Sequence, residues 1–337
     1  MRSFSWRWLP VLAFTSLLLP SSPVRAGEAA AAEPTDARGW LGRIHAAAHQ
    51  RNYQGTLVFT AGGAPSSSRV AHYCVGEQSF ERLEALDGRM QRVYRHNDTV
   101  HTVWPQARVA VVEKRSALTD LPAPMASVDP RALDHYELRA EGIERVAGRE
   151  ARVLLLQPRD ELRYAQRLWA DRATGLMLRS DVLGSNRAVL ESTAFSNVEI
   201  GVRPQAEALQ HEIKLLDSFR VVRAQPQRTQ LEAEGWSLSK PVPGFQLAAC
   251  IKRPLDATVP DGPASDQMLQ AVYTDGLTHV SIFIEAFDAK RHRAALVGQL
   301  GATSTLMQRR GDHWLTVMGD VPPSTLKLFA QALERQR

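Results

Sequence analysis

Short segments in which apolar and polar residues alternate recur along much of this chain, and they constrain its fold more than any other feature. Residues 55–60, for example, place Leu57 and Phe59 on one face of an extended strand. Hairpin turns such as Asp87-Gly88 and Asn97-Asp98 separate neighbouring segments. The same pattern predicts further strands at residues 69–75, 79–86, 91–96, 99–104, 108–114, 144–146, 150–157, 164–171, 176–183 and 189–198. This spacing favours one large curved antiparallel sheet over a βαβ array.

Helical periodicity marks the start of this region and a few later segments. It predicts a first helix from Trp40 to about Arg51, capped by Thr35 or Asp36, and a short helix at residues 136–140. Together with the strands, these helices define a large domain at residues 37–202.

The second half of the chain is organised differently. Residues 203–228 are polar and partly helical, so we predict a linker there. Residues 229–337 predict a smaller domain with strands at 245–252, 268–274, 278–287 and 311–319, and a closing helix after Pro322-Pro323. The predicted fold class is therefore α+β, in two domains.

The first 26 residues have the pattern of a secretory signal peptide. Two early arginines precede an apolar run from Trp8 to Leu19, and the small-residue site Val24-Arg25-Ala26 follows. A helix over this run would cover about 18 Å, which is too short for a bilayer. The alternative, a buried N-terminal helix, conflicts with the prolines that bracket the run. We predict cleavage after Ala26, a flexible arm at residues 27–36, and an exported, soluble mature protein.

The charge balance does not favour a nucleic-acid partner. The chain has 41 basic and 36 acidic residues, for a formal net charge of +5. Three of the basic residues lie in the predicted leader, so 38 remain against 36 acidic ones. Attraction to a polyanion needs a large or clustered excess of one sign. We therefore predict no nucleic-acid partner.

Two cysteines, Cys74 and Cys250, remain in the oxidising compartment that an exported protein enters. They fall in different predicted domains, so a disulfide would have to join the two. The sequence permits this bridge, but it favours two separate buried thiols.

The sequence carries no recognised catalytic or cofactor motif. His45 and His49 have the spacing of zinc ligands on one helical face, but Ala46 replaces the glutamate of the zincin motif. Glycine-rich nucleotide loops, CxxC pairs and the nucleophile elbow do not occur. A metal hydrolase would rest on the two histidines alone, so we predict no enzyme activity, no metal and no cofactor.

The apolar residues of the large domain are more informative than the polar ones. Leu168 and Trp169 are consecutive in one strand, so they point to opposite faces and the sheet is apolar on both. One explanation is a core on one face and a helical lid on the other. The second is a cavity that accepts acyl chains. The candidate lining residues of that cavity are Leu57, Phe59, Trp104, Leu168, Trp169 and Phe195.

Several segments occur in an order that is typical of one known family. In the large domain they are Trp40-Leu41-Gly42-Arg43-Ile44, Asn52-Tyr53-Gln54-Gly55, residues 81–88, residues 145–149, residues 163–171 and Thr174-Gly175-Leu176. In the small domain they are Pro243-Gly244-Phe245, residues 273–281 and residues 319–323. Together they resemble the RseB/MucB family, periplasmic regulators of envelope-stress sigma factors. The likeness spans nearly all of the mature chain, although Gln166 and Ala170 replace an aromatic and a larger apolar residue.

The resemblance implies a large domain similar to the lipoprotein carriers LolA and LolB, which is an incomplete antiparallel β-barrel with helices, plus a smaller C-terminal α+β domain. It implies a periplasmic protein that binds the periplasmic domain of a RseA/MucA-type anti-sigma factor and shields it from site-1 proteolysis. Lipopolysaccharide or another acylated lipid in the large domain would relieve that protection. The alternative is a LolA-like carrier of lipids or lipoproteins, which would not need the second domain. A homodimer is left open.

The predicted partner-binding surface lies in the small domain, at Tyr273, Asp275, Gly276 and Leu277. Asp275-Gly276 forms a turn between two predicted strands, and an exposed Leu277 would be a liability unless a partner covered it. The alternative is an ordinary hairpin turn with Leu277 directed inward.

Overall fold

The computed structural model describes residue 34 and residues 36–114, 133–223, 226–255, 267–292 and 294–336. The predicted signal peptide, with its cleavage site at Ala26, lies outside these residues, as does most of the predicted arm. No helix within the described ranges is long and apolar enough to cross a membrane.

The large domain contains helices α1 (Ala37–Gln50) and α2 (Ala206–Lys214) and a single extensive sheet. Its strands are β1 (Tyr53–Ala61), β2 (Ala64–Val75), β3 (Gln78–Ala85), β4 (Arg92–His96), β5 (Thr99–Trp104), β6 (Val109–Lys114), β7 (Tyr136–Val146), β8 (Arg149–Pro158), β9 (Ala165–Asp171), β10 (Met177–Leu183), β11 (Val189–Ile200) and β12 (Arg220–Arg223). Their order is β12-β6-β5-β4-β3-β2-β1-β11-β10-β9-β8-β7. Neighbours pair antiparallel, except that β12 runs parallel to β6.

The large sheet is open and curled. Its edge strands β12 and β7 are not hydrogen-bonded to each other in the described residues. Strands β7 and β11 nevertheless approach within 8 Å between Cα atoms, although β8, β9 and β10 separate them in the sheet. An incomplete, mainly antiparallel barrel with helices, followed by a smaller α+β domain, confirms the predicted fold class.

Helix α1 begins at the predicted cap and packs by its predicted apolar face. Asp36 Oδ1 accepts a hydrogen bond from the Gly39 amide at 2.8 Å, which is the usual N-cap contact. Trp40, Leu41 and Ile44 recur at helical spacing and are buried. Their burial holds α1 against the sheet, because removing apolar area from water is the main gain of packing an amphipathic helix.

Residues 136–140, for which the sequence predicts a short helix, form the first half of strand β7 instead. Buried Tyr136 and partly buried Leu138 alternate with exposed Glu137 and Arg139, which is the period of a strand. Strand β7 pairs with β8 along its whole length. The helix prediction is wrong because the pairing edge of β8 outweighs the local propensity of a five-residue segment.

Residues 203–228, for which the sequence predicts a linker, contribute to the core of the large domain as far as the end of β12. Leu209, Leu216 and Val222 in this segment are buried. Leu209 and Leu216 pack in one cluster with Tyr73 of β2. The segment is amphipathic, and burying its apolar stripe fixes α2 and β12 to the sheet.

The small domain has its own core beneath helix α3 (Pro323–Ala332). Its strands are β13 (Gln227–Arg228), β14 (Trp236–Leu238), β15 (Gln246–Pro254), β16 (Gln267–Thr274), β17 (His279–Ala286), β18 (Leu296–Leu300), β19 (Thr303–Arg310), β20 (His313–Gly319) and β21 (Leu333–Arg335). The main sheet has the order β13-β15-β16-β17-β20-β19-β18, and β14 pairs with β21. The Phe329 ring of α3 lies 5.4 Å from the Phe245 ring and 5.2 Å from the Tyr273 ring, between centroids.

Candidate functional site

The consecutive residues Leu168 and Trp169 of β9 lie on opposite faces of the large sheet, as the alternation predicts. Leu168 is 1% exposed and Trp169 is 2% exposed. They belong to two different apolar clusters, so both faces of the sheet are covered by apolar side chains at this strand. The predicted lipid-binding residues therefore do not share one surface.

The cluster that contains Leu168 is the helix-covered cluster, because α1 packs over it. Its buried members are Trp40, Leu41, Ile44, Leu133, Tyr136, Leu154, Leu156, Leu168, Ala170 and Met177. Leu168 is thus a core residue beneath a helix. By strand pairing, Leu168 lies opposite Ser180, Ser180 opposite Thr193, and Thr193 opposite Phe59, so Leu168 is on the face of the sheet that carries Phe59 and Leu57. Leu168 and Leu57 nevertheless belong to different clusters, and a lipid cavity lined by both stays a prediction.

The second cluster is the sheet-enclosed cluster, and it brings together Leu57, Trp169 and Phe195. Its buried members are Tyr53, Leu57, Val70, Ala151, Val153, Trp169, Leu176, Leu178 and Phe195. Leu57 lies directly opposite Phe195 in the pairing of β1 with β11. All of these members lie on strands or on a turn between strands, so the curl of the sheet encloses them.

Charged groups surround Trp169 at the border of the sheet-enclosed cluster. The Arg179 guanidinium lies 4.5 Å from the Trp169 ring centroid, and that of Arg167 lies 5.9 Å away. The Trp169 indole N–H donates a hydrogen bond to Glu144 Oε2 at 2.8 Å. Arg179 also pairs with the buried Asp181 at 2.6 Å. An apolar interior therefore lies beside two guanidinium groups, an arrangement that suits an amphiphile.

Phe59 and Trp104, the remaining lipid-binding candidates, are half-buried and belong to neither cluster. Phe59 follows Leu57 by two residues, so it extends the same face toward the turn between β1 and β2. Trp104 ends β5, and three strands separate it from β1 in the sheet. The structure does not bring Trp104 together with Leu57.

The predicted partner-binding turn is buried between the two domains. The Asp275 Oδ2 atom lies 2.6 Å from Nε of Arg163, which precedes β9 in the large domain, and both side chains are 0% exposed. Tyr273 is also buried, and Leu277 packs against the helix-covered cluster. The inward alternative therefore describes the turn, because an ion pair and an apolar contact hold it against the large domain. Of the four predicted residues, Gly276 and Leu277 keep partial exposure.

The Arg163 guanidinium has several further partners at this contact. Nη1 pairs with Asp160 of its own domain, and Nη2 donates to the Pro243 carbonyl oxygen of the small domain at 2.9 Å. The Phe245 ring centroid lies 4.6 Å from the guanidinium carbon. Gly244 has φ +79°, and a Cβ there would overlap the guanidinium. The close approach of the two domains therefore depends on glycine at position 244.

Tyr136 completes the environment of Asp275. Its hydroxyl donates to Asp275 Oδ2 at 3.4 Å. Burial, and then the charge of Asp275, raise the pKa of the Tyr136 hydroxyl well above its usual value, so it remains a donor. The Asp275 carboxylate also accepts hydrogen bonds from the Leu277 and Thr278 amides at 2.9 and 2.8 Å. These hydrogen bonds compensate the burial of the Asp275 carboxylate. Removing one partner of a buried ion pair leaves the other charge uncompensated, which lowers the free energy of unfolding by about 3–5 kcal/mol.

His45 and His49 lie close together on α1, with 4.7 Å between their ring centroids. Burial, and then the neighbouring His45 and His72, lower the pKa of His49. In the part of the chain that the structure describes, no three His, Cys, Asp or Glu side chains are arranged to hold a metal ion. The geometry adds no third ligand to the pair there.

Cys74 and Cys250 are both free thiols, on strands of different sheets. Burial raises the pKa of Cys250 to about 11 and the pKa of Cys74 above its ordinary value. The Cys74 thiol donates to the His49 carbonyl oxygen at 2.9 Å. A thiol with a raised pKa is a poor nucleophile at neutral pH, so both side chains serve packing.

Two family models match this chain in succession. The model described as the MucB/RseB N-terminal domain matches residues 36–213, and the model described as the MucB/RseB C-terminal domain matches residues 230–334. The chain belongs to the MucB/RseB family.

The two MucB/RseB matches place Arg163 and Asp275 in different family domains, so their ion pair joins one domain to the other. Nothing in the sequence pattern pairs these two residues. The available signal is that both lie in the segments that resemble the family, at residues 163–171 and 273–281.

Similarity to individual MucB/RseB proteins extends over nearly the whole chain. The sigma factor AlgU regulatory protein MucB of Pseudomonas aeruginosa is 32% identical over 334 residues, which cover 95% of this chain and 96% of that protein. The complex structure of Pseudomonas aeruginosa MucA/MucB matches with a TM-score of 0.68 and 29% identity over 90% of this chain and 99% of the matched chain. A crystal structure of MucB in complex with MucA(peri) matches with a TM-score of 0.66 and 29% identity over 90% and 100% of the two chains.

Proposed function

We propose that this protein is a periplasmic regulator that binds the periplasmic region of a membrane anti-sigma factor of the MucA or RseA type. The observation that carries the proposal is the similarity, over 90% of the chain, to MucB solved in complex with MucA(peri). The relative in Pseudomonas aeruginosa is itself named a regulatory protein of the sigma factor AlgU. Bound to its partner, the protein shields the anti-sigma factor from site-1 proteolysis and so keeps the sigma factor inactive.

In this proposal the two domains bind the partner as one unit and carry out no catalysis. The buried pair of Arg163 with Asp275 supports this role, because it holds the domains in one relative arrangement. A partner that contacts both domains then meets a surface that is already formed, and it does not have to order that surface on binding.

The small domain supplies much of the partner-binding surface. The buried turn around Asp275 affects partner binding indirectly, because it holds the two domains in place. Since Tyr273 and Asp275 are buried, their substitution would alter partner binding by displacing the domains. Gly276 and Leu277 are partly exposed at the edge of the same contact, where a partner touching both domains would meet them.

Lipopolysaccharide or another acylated lipid relieves the shielding by entering the sheet-enclosed cluster. Leu57, Trp169 and Phe195 support this assignment, because they form an apolar interior that the sheet alone encloses. The guanidinium groups of Arg167 and Arg179 beside Trp169 suit an anionic headgroup. By thermodynamic reciprocity, the lipid and the partner weaken each other's affinity by the same factor. The corresponding coupling free energy is typically about 1–3 kcal/mol.

Titration calorimetry of the purified protein with the periplasmic segment of its anti-sigma factor tests the partner. We expect a stoichiometric complex. The cytoplasmic segment of the same anti-sigma factor is the matched control, and it should not bind. Absence of binding to the periplasmic segment would contradict the regulator and return attention to the carrier alternative.

A second titration tests the relief by lipid. With saturating lipopolysaccharide present, we expect a weaker complex, and we expect site-1 protease to cleave the anti-sigma segment faster. If the affinity and the cleavage rate both stay unchanged, lipid does not regulate the complex.

A further inference from the structure

The two domains meet at a second place, which we name the seam. It consists of Ala61, Leu190 and Glu191 of the large domain, and of the β18–β19 turn (residues 300–303) and Asp320 of the small domain. Gly301 in that turn has φ +61°, and a Cβ there would lie 2.8 Å from Ala61 Cβ and 3.2 Å from the Leu190 carbonyl oxygen. The turn is therefore in direct contact with β1 and β11.

Glu191 is the charged residue of β11 at the seam. Glu191 lies directly opposite Ala61 in the pairing of β1 with β11, so its side chain is on the face of the sheet that the Gly301 turn contacts. The Ala302 amide of that turn donates a hydrogen bond to its carboxyl group. The neighbouring Asp320 carboxylate, which accepts a hydrogen bond from the Thr303 hydroxyl at 2.6 Å, acts on it electrostatically. Asp320 therefore places a like charge near Glu191 at the seam, in contrast to the opposite charges of Arg163 and Asp275.

We propose that Glu191 makes the seam a proton-sensitive contact: the domains close there when its carboxyl group is protonated and loosen there when it is ionised. The Arg163–Asp275 pair joins opposite charges, so it remains formed and acts as the fixed point of the movement. Loosening the seam exposes the β18–β19 turn and leaves the two domains attached at the ion pair.

The direction of the effect follows from the surroundings of Glu191. Burial, and then Asp320, raise the pKa of its carboxyl group from 4.5 to about 7 in the closed seam. In an open, solvated seam the same carboxyl group regains its ordinary pKa. Closing the seam therefore takes up a proton between pH 4.5 and about pH 7. The population of the closed form decreases as the pH rises through that window.

The other charged and titratable groups around the seam do not reverse this direction. Tyr164, whose hydroxyl accepts a hydrogen bond from Gln299 at 3.0 Å, has its pKa raised by burial and stays neutral. Asp181 on the neighbouring strand β10 pairs with Arg179 and accepts a hydrogen bond from the Ser192 hydroxyl. Asp320 carries the like charge that opposes ionised Glu191.

Hydrogen exchange of the full-length protein tests the proposal without any partner or lipid. Exchange of peptides covering residues 299–304 is measured from pH 5 to pH 8 and divided by the intrinsic rate at each pH. In the wild type, we expect protection to fall about tenfold between pH 5 and pH 7.5, since half-exposed groups transmit only part of the full pKa difference. Glu191→Gln should stay protected throughout, because the side chain remains neutral.

Two further variants separate this mechanism from general destabilisation. Glu199→Gln removes an exposed carboxylate from the same strand and should leave the wild-type profile unchanged. Asp320→Asn removes the opposing charge and should shift the fall in protection to lower pH. The proposal is overturned if wild-type protection does not change with pH, or if Glu191→Gln loses protection in the same window as the wild type.

Discussion

The two faces of strand β9 differ in what covers them. Beneath Leu168, helix α1 fills the space with Trp40, Leu41 and Ile44, and the result is an ordinary helix-on-sheet core. Beneath Trp169, the sheet curls over its own side chains, and charged groups stand beside the indole. A change in the first region should therefore alter stability, whereas a change in the second should also alter lipid binding.

The largest expected effect is that of Leu168→Ala in the helix-covered cluster. Loss of a fully buried leucine should lower the free energy of unfolding by about 3 kcal/mol, because a cavity remains under α1. Urea denaturation followed by circular dichroism measures it. Leu138→Ala, at a partly buried position against the same cluster, is the matched control and should cost less. If Leu168→Ala changed lipid affinity while the protein remained folded, the division between the two faces would be wrong.

A smaller loss is expected for Trp169→Phe. The phenylalanine ring preserves most of the apolar contact but lacks the indole N–H that donates a hydrogen bond to Glu144. We therefore expect the free energy of unfolding to fall by about 1–2 kcal/mol. The same denaturation experiment applies. Trp104→Phe is the control, because Trp104 is half-buried and lies outside both clusters. An equal loss in the two variants would show that the bond to Glu144 contributes little.

The smallest effect on stability, and the sharpest on lipid binding, is expected for Phe195→Leu. This near volume-conserving change should cost less than about 1.5 kcal/mol. Its lipid affinity should nevertheless fall several-fold, because the Phe195 ring packs between Leu57 and Tyr53 in the sheet-enclosed cluster. Leu156→Met in the helix-covered cluster is the control of similar stability cost. Fluorescence titration with lipopolysaccharide distinguishes them, and equal affinities in the two variants would contradict the lipid assignment.

The sequence predicts those parts of this comparison that depend on local pattern. The alternation of Leu168 and Trp169 gives their opposite faces, and the predicted strand at residues 99–104 matches β5. Strands β18 and β19 go unpredicted because glycines at 298 and 301 interrupt the apolar alternation. Their position in the sheet is decided by pairing with β20, which lies later in the chain.

Contacts between distant residues are beyond such reasoning. Arg163 and Asp275 are 112 positions apart, and the pattern of residues around each of them does not indicate the other as its partner. The turn at Asp275 has the pattern of an exposed hairpin, and its burial is explained by the facing Arg163 guanidinium and by the contact of Leu277 with the helix-covered cluster. Glu191 and Asp320 likewise meet through the packing of two domains.

The parallel pairing of β12 with β6 has a consequence for how the large domain is made. Arg220 lies opposite Val109, so during folding the outer edge of β6 stays unpaired until residues 220–223 join it. Closing a loop of that length costs about 4 kcal/mol of chain entropy, and an unpaired edge strand invites aggregation in the meantime. Folding should therefore depend on completion of the chain to residue 223. Ending the domain at residue 202 would remove α2 and β12, uncover the cluster around Tyr73 and leave an open edge.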